Sequence, residues 1–289
     1  MSVLVDKKTK VIVQGITGTQ ASFHIQRAMK YGTKVVAGVV PNKKEKYHLG
    51  VPLFETVKEA KELTNATVSL IFVPAKSAKK AILEAIDAEM DVVVVITSGI
   101  PVVDMMEIKK RLLKSKTTLI GPNTPGVITL GEAYLGIYPD TFHKKGNIGI
   151  ISRSSTLTYE VVLELNKIGL GQSSIVGLGD DFVVGAGFVD IIEKFNNDKK
   201  TDTIVLIGGI EGNYELDLAE RYSGLNVNKK VIALMIDDPA ALSRFNGIAS
   251  EIICNGVTET YKKREILSNQ GIVVVDNIDA LKNELLKEW

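Results

Sequence analysis

The amino-acid sequence predicts an α/β protein built on parallel sheets, and three observations support this fold class. Short runs of β-branched residues alternate with helical patterns along all 289 residues. The strand-like runs are apolar on both faces, as in residues 92–97, which is typical of parallel strands covered by helices. The length suits two domains, each with its own core. We therefore expect two doubly wound domains.

The predicted elements alternate regularly until one segment interrupts them. We expect strands at residues 10–14, 34–40, 69–73, 91–97, 117–120, 147–152, 173–178, 203–207, 230–236, 251–254 and 271–275. We expect helices at residues 78–88, 105–113, 158–168, 187–196 and 278–287. The interruption begins with Gly121-Pro122-Asn123-Thr124-Pro125-Gly126 and continues as a long irregular stretch. The domains are therefore predicted to span residues 1–125 and 126–289, with a linker at about 121–146.

The composition excludes several classes of protein. Lys and Arg number 35 and Asp and Glu number 34, a balance that does not favour nucleic acid or an anionic membrane as a partner. The single cysteine, Cys254, excludes an intramolecular disulfide and a cysteine-based zinc site, and no other metal site is expected. The N-terminal residues lack a signal-peptide pattern, and no apolar run approaches the ~20 residues of a membrane helix. We expect a cytoplasmic protein, or an organellar matrix protein that has lost a transit peptide.

The loop after the first predicted strand has the glycine spacing of a phosphate-binding turn. It reads Gly15-Ile16-Thr17-Gly18-Thr19-Gln20-Ala21 and leads into a helix. Glycines at such a turn let the backbone approach a phosphate and direct free N–H groups at it. The alternative interpretation is a tight turn between strand and helix that binds nothing.

The end of the second predicted strand favours a ligand with an extra phosphate. An NAD site has an acidic residue there, which holds the ribose hydroxyls. This chain instead has Pro41-Asn42-Lys43-Lys44-Glu45-Lys46, and a lysine can pair with a phosphate on the ribose. We therefore expect Lys43 to contact coenzyme A (CoA) or NADP, and we expect Lys44 and Lys46 to be solvated.

Further motifs are distributed along both predicted domains. They include His48-Leu49-Gly50, Val73-Pro74-Ala75, Gly121-Pro122-Asn123, Pro125-Gly126-Val127-Ile128, Ser152-Arg153-Ser154 and Thr156-Leu157-Thr158-Tyr159-Glu160. Together with the glycine loop, these motifs resemble the α subunits of succinyl-CoA synthetase, the ADP- or GDP-forming succinate–CoA ligase, over nearly the whole chain. The resemblance implies an N-terminal Rossmann domain that binds CoA and a C-terminal flavodoxin-like ligase domain. It also implies an ATP-grasp β subunit as the partner that supplies the nucleotide site.

The resemblance also implies roles for individual residues. The positions that match the CoA contacts of the family are Thr17, Gly18, Thr19, Gln20, Lys43, Ile96, Thr97 and Ser98. Tyr159 matches a family residue near the acid substrate. In the family, a histidine of the α subunit carries the phosphoryl group, the acid becomes an acyl phosphate, and CoA displaces the phosphate. We call this histidine-dependent transfer the phosphohistidine relay.

The sequence departs from the family at the centre of that relay. Aligned on Ile252 and Ile253, the histidine position is occupied by Ile248, whose side chain has no nucleophilic atom. The carboxylate that orients the histidine is replaced by Gly209, and Glu211, two residues further along the chain, is an alternative carboxylate that could compensate. We therefore expect no intact catalytic residue of the relay.

Other departures concern the surroundings of the two ligands. Ser155 and Asp180 stand where the family has glycine beside the phosphate. An aspartate within ~5 Å of a bound phosphate costs on the order of 1–3 kcal/mol. Ser98 and Thr124 replace a glutamate and a cysteine near the thiol end of CoA. The histidines of the chain are expected to be structural or exposed and not to replace the relay: His24, His48 and His143.

These departures leave several functions open. The chain could be the α subunit of a succinate–CoA ligase-like enzyme that works by a modified route. It could be a non-catalytic CoA-binding subunit, a pseudoenzyme that regulates or stabilises an active ligase. It could belong to another phosphate-linked transferase of acyl or carbamoyl groups. An NADP-dependent oxidoreductase is a fourth alternative, although the sequence offers no His, Lys and Tyr constellation for hydride transfer.

Overall fold

A parallel sheet flanked by helices forms the N-terminal part of the chain in the structure, a computed structural model that describes residues 3–42, 44–139, 143–209, 213–236 and 256–287, with only the backbone of 256–259. Its strands are β1 (Lys10–Gln14), β2 (Lys34–Val39), β3 (Tyr47–His48), β4 (Val51–Phe54), β5 (Val68–Ile71), β6 (Val92–Val95) and β7 (Thr118–Ile120). Its helices are α1 (Thr19–Tyr31), α2 (Val57–Thr64), α3 (Ala75–Asp87) and α4 (Val102–Leu112).

The strand order of this first sheet places the glycine loop at a reversal of the chain path. The order is β3-β4-β2-β1-β5-β6-β7, and the pairs are parallel except for β3 with β4. The chain runs outward from β1 through β2 and β4, and it then returns to β5 on the other side of β1. Ligands of open α/β sheets bind at such a switch point, beyond the carboxyl ends of the strands.

The core of this first sheet follows from strands that are apolar on both faces. Every residue of β5 and β6 is buried, including the four valines of β6. Small and branched residues of α3, such as Ala78 and Ile82, pack against the strands in the same apolar cluster. This packing confirms the reasoning from two-faced apolar runs.

A second sheet is mostly parallel as well. Its strands are β8 (Gly126–Thr129), β9 (Ala133–Gly136), β10 (Lys145–Ser152), β11 (Gln172–Gly177), β12 (Thr203–Ile207), β13 (Lys230–Leu234) and β14 (Val273–Val275). The helices that follow β9 are α5 (Ser155–Lys167), α6 (Phe188–Asn196), α7 (Tyr214–Arg221), α8 (Gly256–Asn269) and α9 (Ile278–Leu286). The strand order is β14-β13-β12-β10-β11-β8-β9. Two mostly parallel sheets with helices confirm the predicted α/β fold class.

The prediction of an irregular stretch after Pro125 is wrong for the residues that form β8 and β9. Strands β8 and β9 form an antiparallel hairpin, and β8 also pairs antiparallel with β11. Gly126 and Gly136 lie opposite each other with φ of +113° and +143°, and a Cβ atom on Gly126 would lie 1.9 Å from the carbonyl oxygen of Leu135. The two glycines therefore permit a close approach of two backbones. The predicted strand at 251–254 lies outside the described residues.

Two compact units divide the chain. One contains the described residues before 143 together with residues 174–186, and the other contains residues 143–173 together with the described residues from 187 onward. We call them the first unit and the second unit. None of the helices in the described ranges is long and apolar enough to cross a membrane.

Candidate functional site

The glycine loop of the first unit is a turn that only glycine fits at its first position. Gly15 has φ of +79°, and a Cβ atom there would lie 3.0 Å from Cγ1 of Val73 and 3.3 Å from the carbonyl carbon of Phe72. The N–H of Gly18 donates to the carbonyl of Gly15 at 3.1 Å and closes the turn. A tight turn therefore connects β1 and α1, as both interpretations of the glycine spacing require.

The N-terminus of α1 is suited to an anion. Gly18 is the N-cap residue, no side chain caps it, and the first turn of α1 has no acidic residue. The predicted contact residues Thr17, Gly18, Thr19 and Gln20 are all exposed. A helix start with exposed N–H groups and a positive dipole end favours a phosphate.

The neighbouring strand ends are fixed by hydrogen bonds beside this loop. The hydroxyl of Thr97 donates to the carbonyl of Val73 at 2.5 Å, and the N–H of Asn123 donates to the carbonyl of Thr97 at 2.9 Å. Ile96 and Thr97 are half-buried, whereas Ser98 is exposed. The turn of residues 96–98 thus follows β6 at the same edge of the sheet as the glycine loop.

Residues 174–186 complete the first unit near these strand ends. Gly179 has φ of +103°, and a Cβ atom there would lie 2.1 Å from the carbonyl oxygen of Pro122. The buried hydroxyl of Thr124 donates to the carbonyl of Gly177 at 2.5 Å and accepts from the N–H of Gly126 at 2.9 Å. Thr124 therefore has a structural role in this chain.

The basic loop after β2 is described only in part. Asn42 has a left-handed backbone with φ of +55°, and Lys44 and Lys46 are exposed, as expected for solvated lysines. Lys43 lies outside the described residues, so its predicted contact stays a prediction. Since β2 is the neighbour of β1, the basic loop and the glycine loop follow adjacent strands.

The second unit has a polar cluster at the carboxyl ends of β10 and β12. Ser154 is the N-cap residue of α5, and its hydroxyl accepts from the N–H of Leu157 at 3.3 Å. The neighbouring Arg153 is only 2% exposed, and its guanidinium carbon lies 4.3 Å from the ring centre of Tyr214. An arginine stacked on an aromatic ring is held in a defined orientation.

A buried ion pair contacts Gly209, the residue expected from the sequence in place of the relay carboxylate. Glu215, in the first turn of α7, accepts from the N–H of Gly209 at 2.8 Å. Lys263 lies 3.1 Å from the other Glu215 oxygen and donates to the carbonyl of Gly209 at 3.3 Å. Both side chains are at most 3% exposed. We call Glu215 and Lys263 the Gly209 clamp.

Sequence reasoning missed the Gly209 clamp. It considered Glu211, which lies outside the described residues, as does Ile248. The partners Glu215 and Lys263 are far apart in the chain, and no spacing rule connects them. The remaining predicted site residue, Tyr159, lies on α5 and is half-buried, and burial raises the pKa of its hydroxyl.

Two family models match the two parts of this architecture. Residues 6–99 match the CoA binding domain, and residues 151–277 match the CoA-ligase family. The glycine loop and the 96–98 turn fall within the first match. The fold and the site thus define a CoA-binding protein with a CoA-ligase domain, and coenzyme A is confirmed as the cofactor.

Relatives identify the family more closely. The α subunit of the ADP-forming succinate–CoA ligase of Staphylococcus aureus (strain Mu50) is 47% identical over 272 residues, which cover 94% of this chain and 90% of the relative. The corresponding subunit of Staphylococcus epidermidis (strain ATCC 12228) is 44% identical over 286 residues, 99% of this chain and 94% of the relative. The chain belongs to the family of succinate–CoA ligase α subunits.

Solved structures of more distant proteins share the fold. ATP citrate lyase from Methanothrix soehngenii, in complex with citrate and coenzyme A, has a TM-score of 0.80 at 18% identity over 99% of this chain. The apo form of the dinucleotide-forming acetyl-coenzyme A synthetase 1 of Ca. Korarchaeum cryptofilum has a TM-score of 0.72 at 22% identity over 93% of this chain. This chain spans 51% and 58% of those longer chains, so the likeness concerns one part of each.

Proposed function

We propose that this chain is the CoA-binding α subunit of a succinate–CoA ligase-like enzyme in which the phosphohistidine relay has been lost. The observation that carries the CoA assignment is the start of α1, where Gly18 offers no side-chain cap and the first turn has no carboxylate. The matched CoA binding domain covers that start. The observation that carries the loss is Ile248 at the histidine position, with Gly209 in place of the orienting carboxylate.

The residues of the first unit have distinct roles in this proposal. The N–H groups of the Thr17–Gln20 loop bind a phosphate of CoA at the positive end of α1. Lys43 pairs with the ribose phosphate, and Ile96, Thr97 and Ser98 form the wall along which the remainder of CoA lies. CoA supplies the thiol that accepts the acyl group. The contribution of this chain is to hold and orient that thiol carrier.

The residues of the second unit have a smaller role in phosphoryl transfer. A branched hydrocarbon at position 248 cannot form a bond to phosphorus, because it has no lone pair to donate. Tyr159 lies beside the acid substrate. The acyl phosphate is then formed on a partner subunit with an ATP-grasp nucleotide site, and the CoA held by this chain displaces its phosphate. The term "subunit alpha" in the names of the relatives supports such a partner.

Calorimetric titration of the full chain with CoA, dephospho-CoA and NADP tests the CoA assignment. We expect binding of CoA, and we expect Lys43→Ala to weaken it about tenfold, because a charge-assisted contact to the ribose phosphate is lost. Dephospho-CoA lacks that phosphate, so its affinity should change little in Lys43→Ala. Lys46→Ala is the matched control, since Lys46 is exposed in the same basic loop.

Two results would contradict the assignment. One is a chain that binds NADP and not CoA. The other is a chain that binds none of the three nucleotides. If instead Lys46→Ala weakens CoA binding as much as Lys43→Ala does, the ribose phosphate is held by the general charge of the loop and not by Lys43.

A further inference from the structure

His48 connects the hairpin after the basic loop to the glycine loop. Strand β3 ends at His48 and pairs antiparallel with β4, with His48 opposite Val51. The Nε2 atom of His48 lies 2.8 Å from the hydroxyl oxygen of Ser22, in the first turn of α1. The same hydroxyl lies 3.0 Å from the carbonyl oxygen of Ile16, inside the glycine loop. One imidazole thus reaches the glycine loop through a single serine.

The directions of these two hydrogen bonds follow from the number of protons. A serine hydroxyl has one proton to donate, and a carbonyl oxygen can only accept. The Ser22 proton is therefore directed at Ile16, and the proton between Ser22 and His48 comes from Nε2. His48 is a donor to Ser22 in both its imidazolium form and the neutral form that carries the proton on Nε2.

We infer that His48 is a positioning residue for coenzyme A, acting through Ser22 on the glycine loop. The inference rests on the proposed placement of CoA at the Thr17–Gln20 loop. Ile16 is buried and precedes Thr17 and Gly18, which are both exposed. Gly18 has no side chain that could brace the start of α1, so the contact of Ser22 with Ile16 holds the loop from within the helix. His48 fixes the rotamer of Ser22 that makes this contact.

Binding of CoA to a set of full-length variants tests this role. We expect His48→Ala to weaken CoA binding about fivefold to tenfold, the effect of losing one partly buried hydrogen bond. His48→Gln should stay within about twofold of the parent, since the glutamine amide nitrogen can donate from a similar distance. Tyr47→Ala is the matched control, because Tyr47 is the adjacent exposed residue of the same strand. His48→Ala should weaken the binding of dephospho-CoA by the same factor as the binding of CoA, because the glycine loop does not contact the ribose phosphate.

A double-mutant cycle and a spectrum separate this role from a general loss of stability. If His48 acts through Ser22, the variant with both His48→Ala and Ser22→Ala should bind CoA no more weakly than Ser22→Ala alone. The chain has three histidines, so nitrogen-15 imidazole signals can be assigned by comparison with His48→Gln. We expect the Nε2–H form of His48 in the parent and a changed balance of tautomers in Ser22→Ala.

The outcomes distinguish this inference from the proposed function. If the parent binds CoA and His48→Ala binds it equally well, the inference is overturned and the CoA site stands. If the effects of His48→Ala and Ser22→Ala simply add, His48 does not act through Ser22 and the inference is overturned as well. If the parent binds neither CoA nor dephospho-CoA, both are overturned. Should His48→Ala fail to fold, Ser22→Ala is compared with Tyr47→Ala. Weaker CoA binding by Ser22→Ala alone supports the inference, and equal CoA binding by the two variants overturns it.

Discussion

At the scale of single residues, His24 is a titratable side chain that the proposed function does not use. It lies on α1 with its ring parallel to that of Phe72, the centroids 6.2 Å apart, and edge-on to Phe23 at 5.0 Å. Burial lowers the pKa of His24, and the nearby positive charge of Arg27 lowers it further. Both effects disfavour the protonated form in the folded chain.

The lowered pKa of His24 predicts a loss of stability in acid. The unfolded chain binds a proton near the ordinary histidine pKa of about 6.5, whereas the folded chain resists it until a lower pH. The stability that neutral His24 contributes to the folded chain is therefore fully present above about pH 6.5. It is lost as the pH falls toward the lower pKa that His24 has in the folded chain. We expect the melting temperature to fall less between about pH 7.5 and about pH 5.5 in His24→Gln than in the parent. An equal fall of the melting temperature in both proteins would contradict the prediction. In an NMR titration, Arg27→Gln should raise the pKa of His24, because it removes the nearby positive charge.

The sequence could predict contacts within one loop but not contacts between loops. Gly15 and Gly18 mark the turn by their spacing, and the structure places them as expected because the turn needs φ above zero at Gly15. The contact of His48 with Ser22 joins residues 26 positions apart. It depends on the pairing of β3 with β4, two short strands that the alternating pattern did not predict. Neither residue type indicates such a contact by itself.

At the scale of elements, the Gly209 clamp joins α7 and α8 to the end of β12. Glu215 and Lys263 form an ion pair, and they also hydrogen-bond both backbone groups of Gly209. Such a pair gives little net stability compared with apolar residues of the same size, because both charges have been removed from water. Removing one partner is a different matter, since the other charge stays buried and has lost the opposite charge of this pair.

Glu215→Gln should therefore destabilise the chain by about 3–5 kcal/mol. Lys263→Met in the same chain should recover part of that loss, because it removes the buried charge. The measurement is the free energy of unfolding from urea titration, followed by circular dichroism. Asp87→Asn is the matched control: its pair with Arg111 is about half exposed on each side, and its loss should cost less than about 1 kcal/mol. Equal losses of unfolding free energy in Glu215→Gln and Asp87→Asn would show that burial does not raise the cost of breaking the ion pair of the clamp.

Elements were predictable where hydrophobic pattern and length agreed. β1 and β12 match their predicted bounds, and α3 and α4 begin three residues earlier than expected, at Ala75 and Val102. Their early starts follow a proline that serves as N-cap, a signal the apolar periodicity does not contain. The hairpin of β8 and β9 was missed because strands of four residues with glycines at their ends resemble a loop in the sequence. Their close backbone contact becomes visible only in three dimensions.

At the scale of the whole molecule, the proposed function combines a CoA-binding glycine loop with a relay that has lost its histidine. The glycine loop and its open helix start are what a CoA-binding domain needs, and they lie in the first unit. In the second unit, Gly209 brings no carboxylate of its own, and the buried carboxylate of Glu215 is already engaged with Lys263 and the Gly209 N–H. In the proposed loss, Gly209 therefore adds to the effect of Ile248, because a glycine has no carboxylate with which to orient a phosphorylated imidazole.

Phosphorylation of the intact chain is the measurement that follows from this argument. The chain is incubated with a competent β subunit, ATP and Mg²⁺, and its mass is measured whole, beside a family α subunit that has the relay histidine. We expect the family subunit to gain a phosphoryl group and this chain to gain none, because Ile248 has no atom that can attack phosphorus. We expect Ile248→His to remain unphosphorylated too, since an imidazole without an orienting carboxylate is a poor acceptor. A phosphoryl group on the unsubstituted chain would mean that another side chain serves as the acceptor, and the proposed loss of the relay would be wrong. A phosphoryl group on Ile248→His alone would instead confine the loss to that one side chain.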